Sequence, residues 1–304
     1  MAPVRTMTSY RKSSFIKKIV DSFFGQMASS MLTIFITFLI ANLYGAKVMG
    51  EYYYVITIIL MASIFVRLGM DNSLLYFIPR NGNMYNKMSF VVITLVTIPV
   101  IFIIYIFTDN QLLQTALPLI LIVSVQELFF AILRAQEKIK QYFFIKLLFG
   151  HVIQIIFIGL SYYLSLFDSI DLLIIFYISN LVSLTAFLIY TRKSFSGFFI
   201  SKKFIKYSIP TIFISFVGVL INRVDILMIG NMMPIHNVGL YQVATQIAFL
   251  ISFSLVIFNI AFAPEISKLH SAGKINDIKQ IYLRSTRLIF SLCLIIFLIV
   301  FFYC

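Results

Sequence analysis

Positive charge on this chain is confined to alternate gaps between its apolar stretches. Nine apolar stretches run along the chain, and 21 of its 24 Lys and Arg residues lie before the first stretch or in or near every second gap after it. Of the other three, Lys47 lies in one of the remaining gaps, and Arg67 and Arg223 fall inside stretches. Basic loops stay in the cytoplasm during insertion. The pattern therefore predicts a multi-pass protein of the cytoplasmic (inner) membrane with a cytoplasmic N-terminus.

Composition excludes the soluble classes of protein. The chain is 61% hydrophobic and 12% charged, with a mean hydropathy of +1.00, whereas soluble chains are about 25% charged. A net charge of +13 would suggest nucleic acid in a soluble protein, but here it is spread over five short loops. Those loops face anionic lipid headgroups, so we expect membrane lipids as partners and no nucleic acid. Two cysteines in the last stretch give no disulfide framework or metal motif, and no cofactor is expected.

The nine stretches predict an all-α integral membrane protein, a polytopic bundle of about nine transmembrane helices. Each has about the 20 residues that cross a bilayer. The loops predicted outside are very short, so function must be carried in or between the helices. Pro99, Pro118 and Pro210 are expected to kink spans 3, 4 and 7. Numbered in order, the predicted spans are 19–44, 50–68, 89–108, 112–133, 143–166, 170–190, 204–230, 238–262 and 288–304.

An internal repeat predicts two lobes. Asn42 and Gly50 match Asn231 and Gly239 at an offset of 189 residues, and Tyr52 and Ser63 match Tyr241 and Ser252. Both copies cross in the same direction, which indicates a parallel repeat of six helices per lobe. We expect a complete N-terminal lobe at 1–191, a cytoplasmic linker at 192–203 and the start of a second lobe at 204–304. The last span ends without a polar flank, and so the second lobe is expected to be truncated after three helices.

Charged residues inside the spans are the candidates for function. A charge at the bilayer centre costs about 2.5–3.5 kcal/mol on insertion scales, so each should face a wet cavity or a partner. Arg67 and Asp71 are four residues apart and can pair, either as a structural ion pair or as part of a site. Arg223 and Asp225 are two apart and do not share a helical face, so each needs its own surroundings. Glu127 is the further acidic candidate, in span 4.

Their chemistry suggests two roles. The planar guanidinium forks of Arg67 and Arg223 suit a phosphate, which makes these two residues the candidate substrate-binding groups. Asp71, Glu127 and Asp225 are candidates for coupling to H⁺ or Na⁺ if burial raises their affinity for a proton. Three tyrosines at 52–54 indicate either an interfacial belt or a surface that stacks on sugars. The chain has no nucleotide-binding loop and no catalytic or metal-binding arrangement, and we expect no catalytic residues.

Two groups of motifs resemble a known family. Residues 41–45, 49–52 and 67–71 are similar to the opening of bacterial polysaccharide or O-antigen flippases, and the order 207–210, 224–225, 238–241 and 263–267 is similar to the start of their second lobe. These are the Wzx-type oligosaccharide-lipid flippases of the multidrug/oligosaccharidyl-lipid/polysaccharide exporter superfamily. The resemblance covers nearly all of the chain.

The resemblance implies a MATE-like fold, two bundles around a cavity that opens alternately to each side, and no enzymatic activity. The implied substrate is a polyprenyl-pyrophosphate-linked oligosaccharide, with other glycan-assembly membrane proteins as further partners and an H⁺ or Na⁺ gradient as the driving force. Span 1 carries no Arg, unlike the lipid II flippases. An ion-coupled drug exporter of the same superfamily and an inactive fragment remain the alternatives. A glycan polymerase is disfavoured because it would need a long outside loop.

Overall fold

The computed structural model describes residues 9–195, 199 and 201–249, together with residues 275, 277–280, 282–283, 286–287, 290–291, 294 and 298. The chain separates into two compact units, Gly25–Gln242 and Met1–Phe24 with Val243–Cys304. The described residues of the second of these units are helical throughout. All five candidate site residues lie in Gly25–Gln242. The predicted lobe boundary at 192–203 stays a prediction.

The first long helix contains two of the predicted spans. Helix α1 runs over Ser9–Arg67 and is broken at Gly45, where φ is 77° and ψ is 169°, a backbone conformation open to glycine and few other residues. The Thr37 and Tyr53 hydroxyls lie 2.9 Å apart, although a continuous helix would separate these residues by about 24 Å. The chain therefore reverses at Gly45, and spans 1 and 2 form an antiparallel pair.

The remaining helices confirm the polytopic helical bundle. Six stretches of the described residues are long and apolar enough to cross a membrane, and the first of them holds spans 1 and 2. Residues 236–249 are helical as well and are called α10. Span 8 beyond residue 249 and most of span 9 lie outside the described residues. The other helices are α2 Met70–Asn81, α3 Asn86–Phe107, α4 Gln111–Ala116, α5 Leu119–Ala135, α6 Ile139–Ile145, α7 Ile153–Tyr163, α8 Ser169–Thr191 and α9 Lys202–Met232.

Local sequence explains where the bundle departs from straight helices. Pro118 separates α4 from α5 near the start of span 4, because proline cannot continue the hydrogen-bond ladder. Pro99 and Pro210 stay inside α3 and α9. Leu68 and Gly69 have positive φ and end α1, after which α2 begins. The sequence analysis had placed α2 in an inside loop.

Helix α5 is the core of the first six spans. From Val123 to Leu133 all its residues except Glu127 are buried, and it packs against α2, α3 and α8. Phe129 contacts the rings of Phe187 and Phe195. Because lipid is as apolar as these side chains, close packing rather than water exclusion stabilises such contacts. The core thereby fixes Glu127 at the junction between α1 and α2.

Helix α9 runs antiparallel to the second half of α1 and to α2. Tyr54 donates to Asn231 at one end, the rings of Phe65 and Phe216 meet further along, and Phe77 packs on Phe204 at the other end. We call this line of contacts, between residues 46–81 and α9, the seam. The candidate charged residues lie on it or beside it.

Candidate functional site

Arg67 lies between two carboxylates. Its Nη1 is 2.8 Å from Asp71 Oδ2 and 3.7 Å from Glu127 Oε2, and its Nε donates to the Ser63 carbonyl at 3.2 Å. The predicted pairing of Arg67 with Asp71 is confirmed, although the two residues flank the Leu68–Gly69 turn instead of sharing one helix. Arg67, Asp71 and Glu127, here called the Arg67 cluster, tie the end of α1 and the start of α2 to α5.

The Arg67 cluster carries more negative than positive charge. Two carboxylates against one guanidinium leave a net charge of −1 when all three are ionised. The Arg67 and Asp71 side chains are 12% and 13% exposed, whereas Glu127 is 40% exposed. Such a cluster suits a proton or a small cation better than a phosphate, because Arg67 already donates to its neighbours. Substrate binding by Arg67 and ion coupling by Asp71 and Glu127 stay predictions.

Short hydrogen bonds fasten α2 to α9 beside this cluster. The Asn72 amide donates to Ser215 Oγ at 2.8 Å, and the hydroxyls of Ser73 and Ser208 are 2.7 Å apart. Thr211 Oγ1 donates to the Gly69 carbonyl at 3.1 Å. These contacts could not be predicted from the sequence, although small hydroxyl residues are the usual means by which membrane helices approach closely.

Arg223 has very different surroundings. It lies on α9 and interacts electrostatically with Tyr53 and Asp225, and the Tyr53 hydroxyl is bonded to Thr37 at 2.9 Å. The ion pairs found in the described part of the chain do not include Arg223. Its guanidinium therefore keeps donors available for an anion, in a part of the bundle where a charge is costly without one.

Asp225 is held by hydrogen bonds instead of by its neighbour Arg223. Its Oδ2 accepts a bond from the Tyr241 hydroxyl on α10, and its Oδ1 accepts from the Ile226 N–H at 2.9 Å. Asp225 therefore has hydrogen-bond partners of its own, while it also interacts electrostatically with Arg223. Tyr241 belongs to the second Gly-x-Tyr copy of the repeat, and so the motif supplies the donor that Asp225 needs.

The three consecutive tyrosines point to three different places. Tyr52 is 3% exposed and accepts a bond from Gln154 at 3.4 Å, which makes it a core residue and not part of an interfacial belt. Tyr53 lies beside Arg223. Tyr54 donates to Asn231 across the seam at 3.0 Å. Helical geometry explains the division, since successive residues point about 100° apart.

Charged residues held within a multi-pass bundle of apolar helices mark a functional site in a membrane protein. A family model described as polysaccharide biosynthesis protein matches residues 15–270. The chain belongs to this family. A solved crystal structure of MATE in complex with Br-NRF is similar, with a TM-score of 0.63 and 12% identity over 92% of this chain and 72% of that one. No curated protein matches the chain. Family and fold together point to a membrane flippase or exporter rather than to an enzyme.

Proposed function

We propose that this protein flips a polyprenyl-pyrophosphate-linked oligosaccharide across the cytoplasmic membrane for surface polysaccharide biosynthesis. The observation that carries the proposal is Arg223, a guanidinium within α9 that has no ion pair among the described residues. It would bind the pyrophosphate group of the substrate, with the Tyr53 hydroxyl beside it.

The chemistry of Arg223 matches that substrate. A guanidinium presents several donors in one plane and binds phosphate oxygens in pairs, which an ammonium group cannot do. Keeping it unpaired in a bundle of apolar helices costs about 2.5–3.5 kcal/mol or more. A bound pyrophosphate group with two or three negative charges offsets that cost. The guanidinium in turn reduces the repulsion between the negatively charged oxygens of the pyrophosphate. In our proposal the polar sugars lie within the bundle beside Arg223, while most of the hydrocarbon tail stays in the bilayer.

The acidic groups support a driving step for such a cycle. In our proposal, H⁺ or Na⁺ binds the Arg67 cluster or Asp225 from one side of the membrane and leaves on the other. Glu127 is the most exposed member of the cluster and only 3.7 Å from Arg67, so neutralising Glu127 would strengthen the relative hold of Asp71 on Arg67. Because this cluster ties α1, α2 and α5 together, a change in its charge would alter the contacts of α1 and α2 with α9 along the seam.

A drug exporter is the second candidate, and Glu127 favours it. A half-exposed carboxylate inside the bundle would attract an organic cation as readily as H⁺ or Na⁺. The two candidates differ in which charge matters most. Loss of Arg223 should disable a pyrophosphate flippase, whereas loss of Glu127 should disable an exporter of cationic drugs.

The direct cellular test is complementation of a strain that lacks this gene. We expect Arg223→Ala to abolish surface glycan and to accumulate the lipid-linked precursor at an unchanged level of membrane-inserted protein. Arg223→Lys should restore display only in part, since the charge remains and the fork is lost. Normal glycan display by Arg223→Ala would remove the pyrophosphate role. A loss of drug resistance in Glu127→Gln with normal display would favour the exporter.

A further inference from the structure

An apolar cavity of about 400 Å³, open to one side, lies between α1 and α3 beside the seam. Its walls are Ile58, Met61, Ala62 and Phe65 of α1, the face of α3 around Ile103, and Leu227 of α9. We call this cavity the lateral slot. Its lining is apolar throughout, so it offers nothing to the sugar or the pyrophosphate of a substrate.

The seam closes at both ends of the lateral slot. The rings of Phe65 and Phe216 meet with centroids 4.9 Å apart at one end. At the other end Tyr54 donates to Asn231 and packs on Gly230, which leaves no room there for even a methyl group. The slot is therefore a defined gap between two tight contacts, about 10 Å long over residues 58–65.

The slot opens sideways. Phe65 and Ile103 at its edge are 45% and 55% exposed. The next residues along α3, among them Ile98 and Phe102, are more than 60% exposed and belong to a span with no charged residue after Lys87. In a bilayer this surface contacts lipid. An apolar opening toward lipid is filled by a hydrocarbon chain, since water would find no polar partner in it.

Arg223 lies on α9 one helical turn from Leu227, which lines the slot, and between Leu227 and Phe216, which closes one end. Arg223 and Leu227 are four residues apart on α9, so they share a face and are separated by about 6 Å along the axis. Arg223 is also nine residues from the end of α9 at Met232, or about 14 Å. A lipid with its chain in the slot would place its phosphate at this guanidinium, well below the interface where resident phospholipids keep their headgroups.

We propose that the lateral slot binds the first isoprene units of the polyprenyl tail while Arg223 holds the pyrophosphate of the same molecule. This inference rests on the proposed function and adds a tail site to it. Apolar cavities of about 150 Å³ already bind benzene, which is about the size of one isoprene unit, so the slot holds about two such units. A phospholipid does not satisfy both contacts, because its phosphate would have to leave the membrane surface.

The test compares two soluble pyrophosphates on the protein in lipid nanodiscs. Farnesyl pyrophosphate carries a tail that reaches the slot, and isopentenyl pyrophosphate carries a single isoprene unit. We expect the native protein to bind farnesyl pyrophosphate about tenfold more tightly than isopentenyl pyrophosphate. Ala62→Phe fills the slot and should reduce this preference to about twofold. Ile98→Phe, which enlarges a lipid-facing side chain outside the slot, is the matched control and should leave it unchanged.

A second measurement does not depend on the folding of Ala62→Phe. A photoreactive amino acid at position 103 should crosslink to added farnesyl pyrophosphate, and excess undecaprenyl pyrophosphate should suppress that crosslink. Crosslinks to phospholipid alone, or an unchanged tail preference in a folded Ala62→Phe protein, would overturn the tail site. If Arg223→Ala binds both pyrophosphates as well as the native protein does, then the proposed function itself fails, which is a distinguishable result.

Discussion

Gly50 of α1 and Gly239 of α10 lie against one another in a reciprocal contact. A methyl group on Gly50 would overlap the carbonyl oxygen of Ile235, and a methyl group on Gly239 would overlap the carbonyl oxygen of Ala46. Gly50 thus contacts the backbone of Ile235, four residues before Gly239. Gly239 contacts the backbone of Ala46, four residues before Gly50. Gly50 and Ala46 are related to Gly239 and Ile235 by the same offset of 189 residues that relates Asn42 to Asn231. This is the contact that two copies of one unit make across a pseudo-twofold axis.

We expect Gly50→Ala and Gly239→Ala each to loosen the contact between α1 and α10. Inserting a methyl group into a fixed backbone contact costs about 1–3 kcal/mol, so both variants should lower the midpoint of thermal unfolding in detergent and reduce transport. Gly218→Ala is the matched control, because a methyl group there meets nothing within 4 Å. If both glycine variants kept native stability and native transport, α1 and α10 would be able to move apart at this contact at no cost, which would contradict the prediction.

Removing Arg67 should harm the protein more than removing Arg223. Arg67→Ala leaves Asp71 and Glu127 facing each other without a cation, and breaking a buried ion pair of this kind costs about 3–5 kcal/mol. We expect less folded protein in the membrane and a lower unfolding temperature. In the double variant Arg67→Ala with Glu127→Gln, part of the stability should return, because only one carboxylate remains unpaired. Additive losses in a double-mutant cycle would contradict the ion-pair geometry.

Asp225 and Tyr241 separate a coupling role from a structural one. Asp225→Asn keeps the size of the side chain but removes its charge, so transport should lose its dependence on the H⁺ or Na⁺ gradient if Asp225 couples. Tyr241→Phe removes the hydroxyl donor and leaves the carboxylate in place. It should therefore shift the concentration of ion needed for half-maximal transport and retain the dependence. Equal loss of protein in both variants would instead identify a purely structural bond.

The Thr37 hydroxyl donates to the Thr33 carbonyl, so the Tyr53 hydroxyl donates to Thr37. In our proposal Tyr53 turns this proton from Thr37 to the anion that Arg223 binds. We expect Tyr53→Phe to weaken pyrophosphate binding about threefold to tenfold, which is the range for one lost hydrogen bond. Tyr54→Phe removes a hydroxyl that bonds Asn231 across the seam and should leave the affinity unchanged. Isothermal titration with isopentenyl pyrophosphate on both variants makes the comparison. A larger loss in Tyr54→Phe than in Tyr53→Phe would place the anion elsewhere.

Much of the fold follows from sequence because bilayer thickness sets the length of each span and basic loops mark alternate gaps. The turn near Gly45 was accessible in this way, the break at Pro118 followed from the chemistry of proline, and the pairing of Arg67 with Asp71 followed from their four-residue spacing. The same rules said nothing about α2, since a twelve-residue helix with a polar start carries no membrane signal. Its bonds to Ser208 and Ser215 depend on tertiary packing alone.

The candidate site was only partly accessible from sequence. The spacing of Arg223 and Asp225 showed that they need separate surroundings, but the partners Tyr53 and Tyr241 lie on other helices. The spacing also separated Arg67, which can pair with Asp71 four residues away, from Arg223. The sequence did not reveal the second carboxylate at Arg67, because Glu127 reaches it only through the packing of α5.

The most direct test of the central claim is transport by purified protein in liposomes. A fluorescent polyprenyl-pyrophosphate-linked sugar on one leaflet reports its passage to the other through quenching by an impermeant reductant. We predict that the native protein moves the probe, that Arg223→Lys slows it, and that Arg223→Ala reduces it to the rate of empty liposomes while keeping the native unfolding temperature. Equal rates for the native protein and a folded Arg223→Ala variant would contradict the assignment of Arg223 to the pyrophosphate.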